Sequence, residues 1–264
     1  MKSWRGLLRK EWMMLRRSVT ILAILSILIV LVGPSVVGQL FDVPGEYAAH
    51  AFILGGTWIG FQLFLGVSIL FMSLGNELKR PDIWLHSPIS MYGLTGAKVA
   101  FAAIVTAGSM VWSGMLLGIA FILSGEGGSI SFENGVLPLL NTICALFLRS
   151  LFIMGVGFFF WSVYQVLRSR YGSFLSTIMT YIVLALSMVV WEKLRVTGIF
   201  EPLKTFMPVK WTDVDFYQES HSYFLAGLIP GSVIFSVGGL LLYGAVTVAS
   251  FMAGSVLFEK KVRL

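Results

Sequence analysis

The side chains that most often carry catalysis are scattered in this sequence. The three histidines, His50, His86 and His221, lie in separate segments, and no His-Glu-x-x-His pair, which would place two zinc ligands on one helical face, is present. No Gly-x-Ser-x-Gly nucleophile elbow occurs either. The single cysteine, Cys144, excludes a multi-cysteine metal site. The sequence therefore predicts no enzyme active site and no cofactor held by this chain.

A phosphate-binding loop is also missing from the sequence. A Walker A loop needs Gly-x-x-x-x-Gly-Lys-Ser/Thr, and the Gly-rich stretch 125–129 has no lysine. Acidic residues are nearly absent from the apolar segments, which disfavours an ion antiporter with a buried carboxylate. The net charge of +6 does not indicate nucleic acid, because the basic residues lie beside apolar segments.

The composition indicates a protein that faces lipid. Of 264 residues, 57% are apolar and 12% are charged, and the mean hydropathy is +0.86. A soluble domain carries about 25% charged residues, so this chain has too little charge to cover a water-facing surface. No linker or repeat divides the sequence. We predict a single transmembrane domain, residues 1–264, of the all-α integral membrane class.

Six segments are apolar enough to cross a membrane as α-helices, which takes about 20 residues each. They are Val19–Leu40, Ala49–Leu74, Ala97–Leu123, Val136–Gln165, Gly172–Trp191 and Ser232–Phe258. Lys and Arg number 14 in the two terminal stretches and in the loops after the second and fourth segments. The intervening short loops, 41–48 and 124–135, contain none. Because cations collect on the cytoplasmic side, we predict that both termini are cytoplasmic.

Residues 1–18 are predicted to form an amphipathic helix at the inner membrane surface. Apolar side chains, among them Trp4, Leu8 and Trp12, recur at helical spacing. Cationic side chains, among them Arg5 and Arg9, share another face of the helix. A helix of this kind lies in the interface between lipid and water. The alternative is a cytoplasmic extension of the first span, anchored by its cations.

The cytoplasmic loop 76–98 is too apolar to be a simple connector. Its exposed apolar side chains indicate a surface for a partner, and they are Ile83, Trp84, Leu85, Ile89, Met91 and Tyr92. The alternative is a loop that rests on lipid headgroups through Trp84 and Tyr92.

The outer segment 192–231 is rich in aromatic residues. The run Ser222–Ile229 is apolar but too short to span, and Pro230 and Gly231 follow it. We predict a short re-entrant helix here, before the sixth span, because backbone at that depth must be helical or buried. A plain interfacial loop held by its aromatic side chains is the alternative.

Arg149 lies about halfway along the fourth segment, with Asn141 about two turns away. A central arginine costs about 2.5–3.5 kcal/mol on insertion and usually faces a bundle interior or a cavity. We therefore expect either a cation on a transport pathway or subunit interface, or a structural arginine satisfied by helix carbonyls and by Thr142 or Ser150.

The layout resembles the permease subunits of ABC-2 type transporters, also called the type V fold. The resemblance covers the whole chain, and its most specific part is Glu77-Leu-Lys-Arg-Pro-Asp-Ile-Trp-Leu-His-Ser-Pro-Ile-Ser90, followed by Gly96-Ala-Lys98. It is similar to the family's charged segment, which leads to a Ser-Pro or Leu-Pro turn, a short coupling helix and a lysine that opens the third helix, here Lys98. The resemblance implies that Asp82–Tyr92, which includes His86, docks on an ATPase subunit. It also implies supporting contacts from Glu77 and Lys79.

The family implies an assembly of two permease chains, identical or homologous, and two ATPase chains that bind ATP and Mg²⁺. The first helix, Trp4–Arg17, would lie near the ATPase. The expected function is export of a hydrophobic or amphipathic substrate, such as a peptide, antibiotic or lipid, across a bacterial cytoplasmic membrane. A wall-polymer exporter and a non-transporting immunity or sensor protein that binds a peptide are the alternatives. Membrane lipid is an expected partner and nucleic acid is not.

Overall fold

The computed structural model describes residues 2–40, 47–78, 91–125, 136–198, 200, 202, 206, 208–210 and 234–262. These residues are almost entirely helical, and the helices are α1 Lys2–Ile27, α2 Gly33–Leu40, α3 Tyr47–Phe61, α4 Leu65–Leu78, α5 Met91–Leu123, α6 Leu137–Val196 and α7 Val237–Val262. A π-helical turn, Leu28–Val32, joins α1 to α2, and a 3₁₀ turn, Gln62–Phe64, joins α3 to α4. The strands β1 Pro208–Lys210 and β2 Ile234–Ser236 pair antiparallel.

Five helical stretches in the described part of the chain are long and apolar enough to cross a membrane. They are Trp4–Leu40, Tyr47–Leu78, Tyr92–Leu123, Leu139–Leu194 and Val237–Glu259. This agrees with the prediction of an all-α membrane protein. Four stretches correspond to the predicted first, second, third and sixth spans, and the remaining stretch covers both the fourth and the fifth.

The long helix α6 is broken at Gly172, whose φ of 78° and ψ of 174° are not helical. A straight helix of 60 residues would be about 90 Å long, roughly three times the hydrocarbon thickness. The backbone conformation at Gly172 is essentially restricted to glycine. The hydroxyls of Tyr164 and Ser173 hydrogen-bond across the break at 3.1 Å. The break falls where the sequence predicts a turn, beside the exposed Arg168 and Arg170.

Helix α1 has no boundary at residue 18. From Lys2 onward, the stretch predicted as an interfacial helix over 1–18 is continuous with the helix of the first span. No Pro or Gly interrupts residues 7–32, and strong helix formers such as Leu, Met, Arg and Lys dominate there. Glu11, Leu15 and Ser26 are buried and follow one face of the helix.

The π turn Leu28–Val32 lets the first span continue through Pro34. Proline has no N–H, and its ring clashes with the carbonyl four residues earlier, so a locally widened turn keeps the backbone helical. The Gly33 N–H accordingly donates to the Leu28 carbonyl, five residues back. The Tyr47 hydroxyl of α3 donates to the Leu31 carbonyl at 2.8 Å.

The chain forms two compact units. The first consists of Met1–Ser68, Ala100–Ser150 and Trp211–Val233, and the second consists of Ile69–Val99, Leu151–Lys210 and Ile234–Leu264. The core of the first unit is made of apolar side chains from the first span, α3, α5 and α6, and they are Val30, Ala51, Ile59, Met110, Leu116, Leu117, Ala120, Ile143 and Leu146.

The core of the second unit is aromatic. The Trp161 ring lies 6.4 Å from the Phe71 ring, 6.3 Å from Phe158 and 5.2 Å from Phe258, measured between centroids. Phe158 and Phe258 are fully buried. Offset and tilted aromatic pairs at these separations are favourable beyond the area that they bury. These rings join α4, α6 and α7 within the second unit.

Helix α7 begins later than predicted. The sequence places the start of the sixth span at Ser232, whereas Ile234–Ser236 form strand β2 and the helix starts at Val237. The Ser236 hydroxyl accepts a hydrogen bond from the Gly239 N–H at 2.9 Å, which is the interaction of an N-cap serine. The predicted re-entrant run, Ser222–Ile229, lies outside the described residues.

Replacing Gly172 with Ala should lower the free energy of unfolding by about 1–3 kcal/mol, because a Cβ strains this backbone conformation. The measurement is the thermal unfolding of the purified protein in mild detergent. The control is Gly244→Ala on α7, where an added Cβ meets nothing within 4 Å. Equal midpoints for the two variants would contradict the break at Gly172.

Gly155→Ala should also destabilise the protein, by about 1–3 kcal/mol, because the added carbon overpacks a helix contact. A Cβ on Gly155 would lie 2.7 Å from Thr247 Cγ2 and 2.9 Å from the Thr247 carbonyl oxygen. Backbone cannot give way as a side-chain end does, so α6 and α7 must separate. Gly244→Ala is again the matched control, and a neutral Gly155→Ala variant would rule out this close approach.

Candidate functional site

The predicted docking segment is flanked by two described helices, α4 and α5. Glu77 lies in the last turn of α4, and Met91 and Tyr92 open α5. The Tyr92 side chain is exposed, as a partner surface requires. The other predicted contacts, Lys79, Asp82, Ile83, Trp84, Leu85, His86 and Ile89, lie outside the described residues.

A buried ion pair joins the two helices beside this segment. Lys98 Nζ lies 3.1 Å from Glu77 Oε1, and the two side chains are 1% and 7% exposed. Lys98 Nζ also donates to Ser73 Oγ at 2.6 Å. Ser73 and Glu77 are four residues apart on α4 and therefore share a face. We call Ser73, Glu77 and Lys98 the polar clamp.

Once both charges of the polar clamp are buried, each needs the other as its partner. A lysine is almost never fully buried unless it is paired, and removing one partner of a buried pair costs about 3–5 kcal/mol. The hydroxyl of Ser73 supplies a further acceptor for the ammonium group. The clamp therefore fixes the end of α4 against the start of α5.

Glu77, which the resemblance implies as a supporting contact, has a carboxylate that is directed to Lys98 and is almost fully buried. It positions the helix ends on either side of residues 79–90, and its supporting contact with a partner stays a prediction. Lys98, which the resemblance singled out only as the lysine opening the third span, is its counterpart.

The predicted interfacial residues lie mostly on the surface of α1. Trp4 and Trp12 are about half exposed, Arg5 and Arg9 are exposed, and Leu8 is half-buried. These side chains are thus accessible to lipid or to a partner. The location of this stretch at the membrane surface stays a prediction.

Arg149 is exposed on α6, and Asn141 is half-buried. Ser150, one of the predicted hydroxyl partners, is fully buried, and its oxygen has no hydrogen-bond partner among the described residues. Ser150 is therefore not the group that satisfies Arg149. The exposure of the guanidinium favours a surface position over one inside the first unit.

The first unit contains two further polar contacts between helices that the sequence did not predict. Gln62 Nε2 donates to Ser113 Oγ at 2.6 Å, and Trp58 Nε1 donates to Ser26 Oγ at 2.9 Å. These bonds link the second span to the third and to the first. The available signal was the isolation of Gln62 and Ser113 in apolar runs, since polar groups in hydrocarbon seek partners on neighbouring helices.

Together, the helices define a class of protein. Several long apolar helices indicate a multi-pass membrane protein, and across the described ranges no group of three or more His, Cys, Asp or Glu side chains is placed to hold a metal ion. Comparison with protein-family models, curated proteins and solved structures finds no match for the chain. The resemblance to ABC-2 type permeases therefore stays a prediction.

Lys98→Met should lower the free energy of unfolding by about 3–5 kcal/mol, because Glu77 is left charged and buried without its main partner. The double variant Lys98→Met/Glu77→Leu should lose less than Lys98→Met alone, since no uncompensated charge remains. Lys98→Met, Glu77→Leu and the double variant are all measured by unfolding in mild detergent. If the double variant loses as much unfolding free energy as the two single variants together, Glu77 and Lys98 do not stabilise each other.

Proposed function

We propose that this chain is the permease subunit of an ATP-driven exporter of the ABC-2 type. The observation that carries the proposal is the polar clamp, which ties together the two helices that flank the predicted docking segment. A loop that receives force from a partner is effective only if its ends move as one body. A buried ion pair with a hydroxyl partner supplies that rigidity, because separating its charges is costly.

The proposed motor is a separate ATPase subunit. The sequence has no Walker A loop, so ATP and Mg²⁺ would be bound by two partner chains. ATP binding closes the ATPase pair, residues Asp82–Tyr92 receive the motion, and the polar clamp passes it to α4 and α5 together. A second permease chain, identical or homologous, completes the pathway.

Six spans with both termini in the cytoplasm belong to the same proposal. The break at Gly172 supports two spans within α6, because the parts on either side of it, 137–171 and 173–196, are each long enough to cross a membrane. The exposed Arg168 and Arg170 beside the break are suited to a cytoplasmic turn. The membrane would be the cytoplasmic membrane of a bacterium.

The proposed cargo is hydrophobic or amphipathic. Charged side chains are few within the described spans, and two of them, Glu77 and Lys98, neutralise each other. A pathway walled by such helices offers little to a strongly charged solute. A peptide, an antibiotic or a lipid-like molecule fits this chemistry.

Trp84→Asp should weaken recovery of the ATPase on the purified permease by about 30-fold, because an aromatic hot-spot residue contributes about 2 kcal/mol or more to an interface. The measurement is co-purification in mild detergent, followed by mass spectrometry to identify the bound chains. The matched control is Leu123→Asp, an exposed leucine at the opposite end of α5, which should recover the ATPase normally.

Two outcomes would count against the proposal. Full recovery of the ATPase on the Trp84→Asp variant would show that the predicted docking segment does not bind the ATPase. Purification of the wild-type chain with no ATPase, under conditions that retain a second copy of the permease, would favour the non-transporting alternative.

A further inference from the structure

One face of α1 and of the first residue of the π turn after it carries a cation followed by an unbroken apolar track. Arg17, Ile21, Ile24 and Leu28 are spaced by four, three and four residues, and residues with this spacing share one side of a helix. All four are exposed, with Ile21 at 56%, Ile24 at 53% and Leu28 at 50%. We call these four residues the lipid track.

The dimensions of the lipid track match one leaflet of a membrane. Arg17 and Leu28 are about 16 Å apart along the axis at about 1.5 Å per residue. Half of the hydrocarbon core is about 15 Å thick. A guanidinium at the level of the headgroups therefore places the apolar part of the track beside one acyl chain.

The charge around the track is of one sign. Arg16 is exposed next to Arg17, and Arg9 is exposed farther along α1. Glu11, the one acidic residue among residues 2–40, is only 3% exposed. No carboxylate on the surface of this helix competes for the cations. The region attracts anions, and it does so at the start of an apolar surface.

We propose that the lipid track binds an anionic phospholipid. The phosphate group lies between the guanidinium groups of Arg17 and Arg16, and an acyl chain packs along Ile21, Ile24 and Leu28. Arginine is suited to this role, because its planar donors match the geometry of phosphate oxygens. This site is separate from the docking segment and does not depend on the chain being a permease.

The shape of the track favours a lipid over an acidic protein surface. A protein that matched the arginines would have to continue into an apolar stretch about 16 Å long, on a helix apolar enough to cross the membrane. A phospholipid has both parts in one molecule. Free phosphate would use the arginines alone and would gain nothing from the isoleucines.

The test uses the full-length protein in a nonionic detergent, with the thermal unfolding midpoint as the readout. The protein is titrated separately with phosphatidylglycerol, phosphatidylcholine, inorganic phosphate and polyglutamate. We expect phosphatidylglycerol to raise the midpoint at concentrations where the other three do not. Arg17→Gln should raise the half-saturating concentration of phosphatidylglycerol about fivefold, the equivalent of about 1 kcal/mol per cation at a membrane surface.

Two matched controls separate the track from general effects. Arg5→Gln removes the same charge about 18 Å farther along α1 and should leave the half-saturating concentration unchanged. Ile24→Ala should weaken phosphatidylglycerol binding, whereas Ile53→Ala, which changes an equally exposed isoleucine on α3, should not.

Three results would overturn the proposal. Equal stabilisation by phosphatidylcholine would show that the negative headgroup is not recognised. Stabilisation by inorganic phosphate or polyglutamate at the same concentrations would assign the cations to a soluble anion or to an acidic protein. An unchanged response of Arg17→Gln would place the lipid elsewhere. All of these outcomes are independent of ATPase recovery.

Discussion

In a hydrocarbon environment, a polar group must find its partner inside the protein, and this constraint explains most of the local structure described above. An unsatisfied backbone group in lipid costs several kcal/mol. The hydroxyls of Ser26, Thr106 and Ser162 therefore donate to carbonyls four residues earlier in their own helices. Where Pro34 removes a donor, a π turn keeps the first span helical, and the Tyr47 hydroxyl donates to the nearby Leu31 carbonyl.

The same constraint explains why charge is placed so sparingly. A lysine and a glutamate that leave water must do so together, and Lys98 and Glu77 meet at 3.1 Å where α4 and α5 are joined by the loop. Arg5, Arg9, Lys10, Arg16 and Arg17 of α1 instead remain exposed, while Glu11 is buried. The buried pair gives rigidity between two helices, and the exposed cations give attraction to an external anion. Basic side chains thus hold two helices together where they are buried and are available to bind an external anion where they are exposed.

The sequence predicted the apolar spans because length and composition alone define them, and the turn near Gly172 followed from the cations beside it. It did not predict the continuity of α1, since an amphipathic stretch and an extended span have the same helical periodicity. The pairing of Glu77 with Lys98 was not predicted, because both residues lie beside the charged loop 79–90, where one more charge does not stand out as Gln62 and Ser113 do in apolar runs. The predicted start of α7 was too early, because the apolar residues of β2 continue the hydrophobic run of the helix. Ser236 is nevertheless a recognisable N-cap residue.

The π turn at Leu28–Val32 also has a consequence for how this protein tolerates changes in length. A turn with one additional residue rotates everything after it by about 100° relative to a regular α-helix. Loss of one residue within the turn would therefore restore a uniform helix and leave the side chains of α2 facing their present neighbours. Loss of one residue from the regular part of α1 would instead rotate everything after it by about 100°, so the first span can shorten at this turn and not elsewhere along α1 without changing which side chains meet.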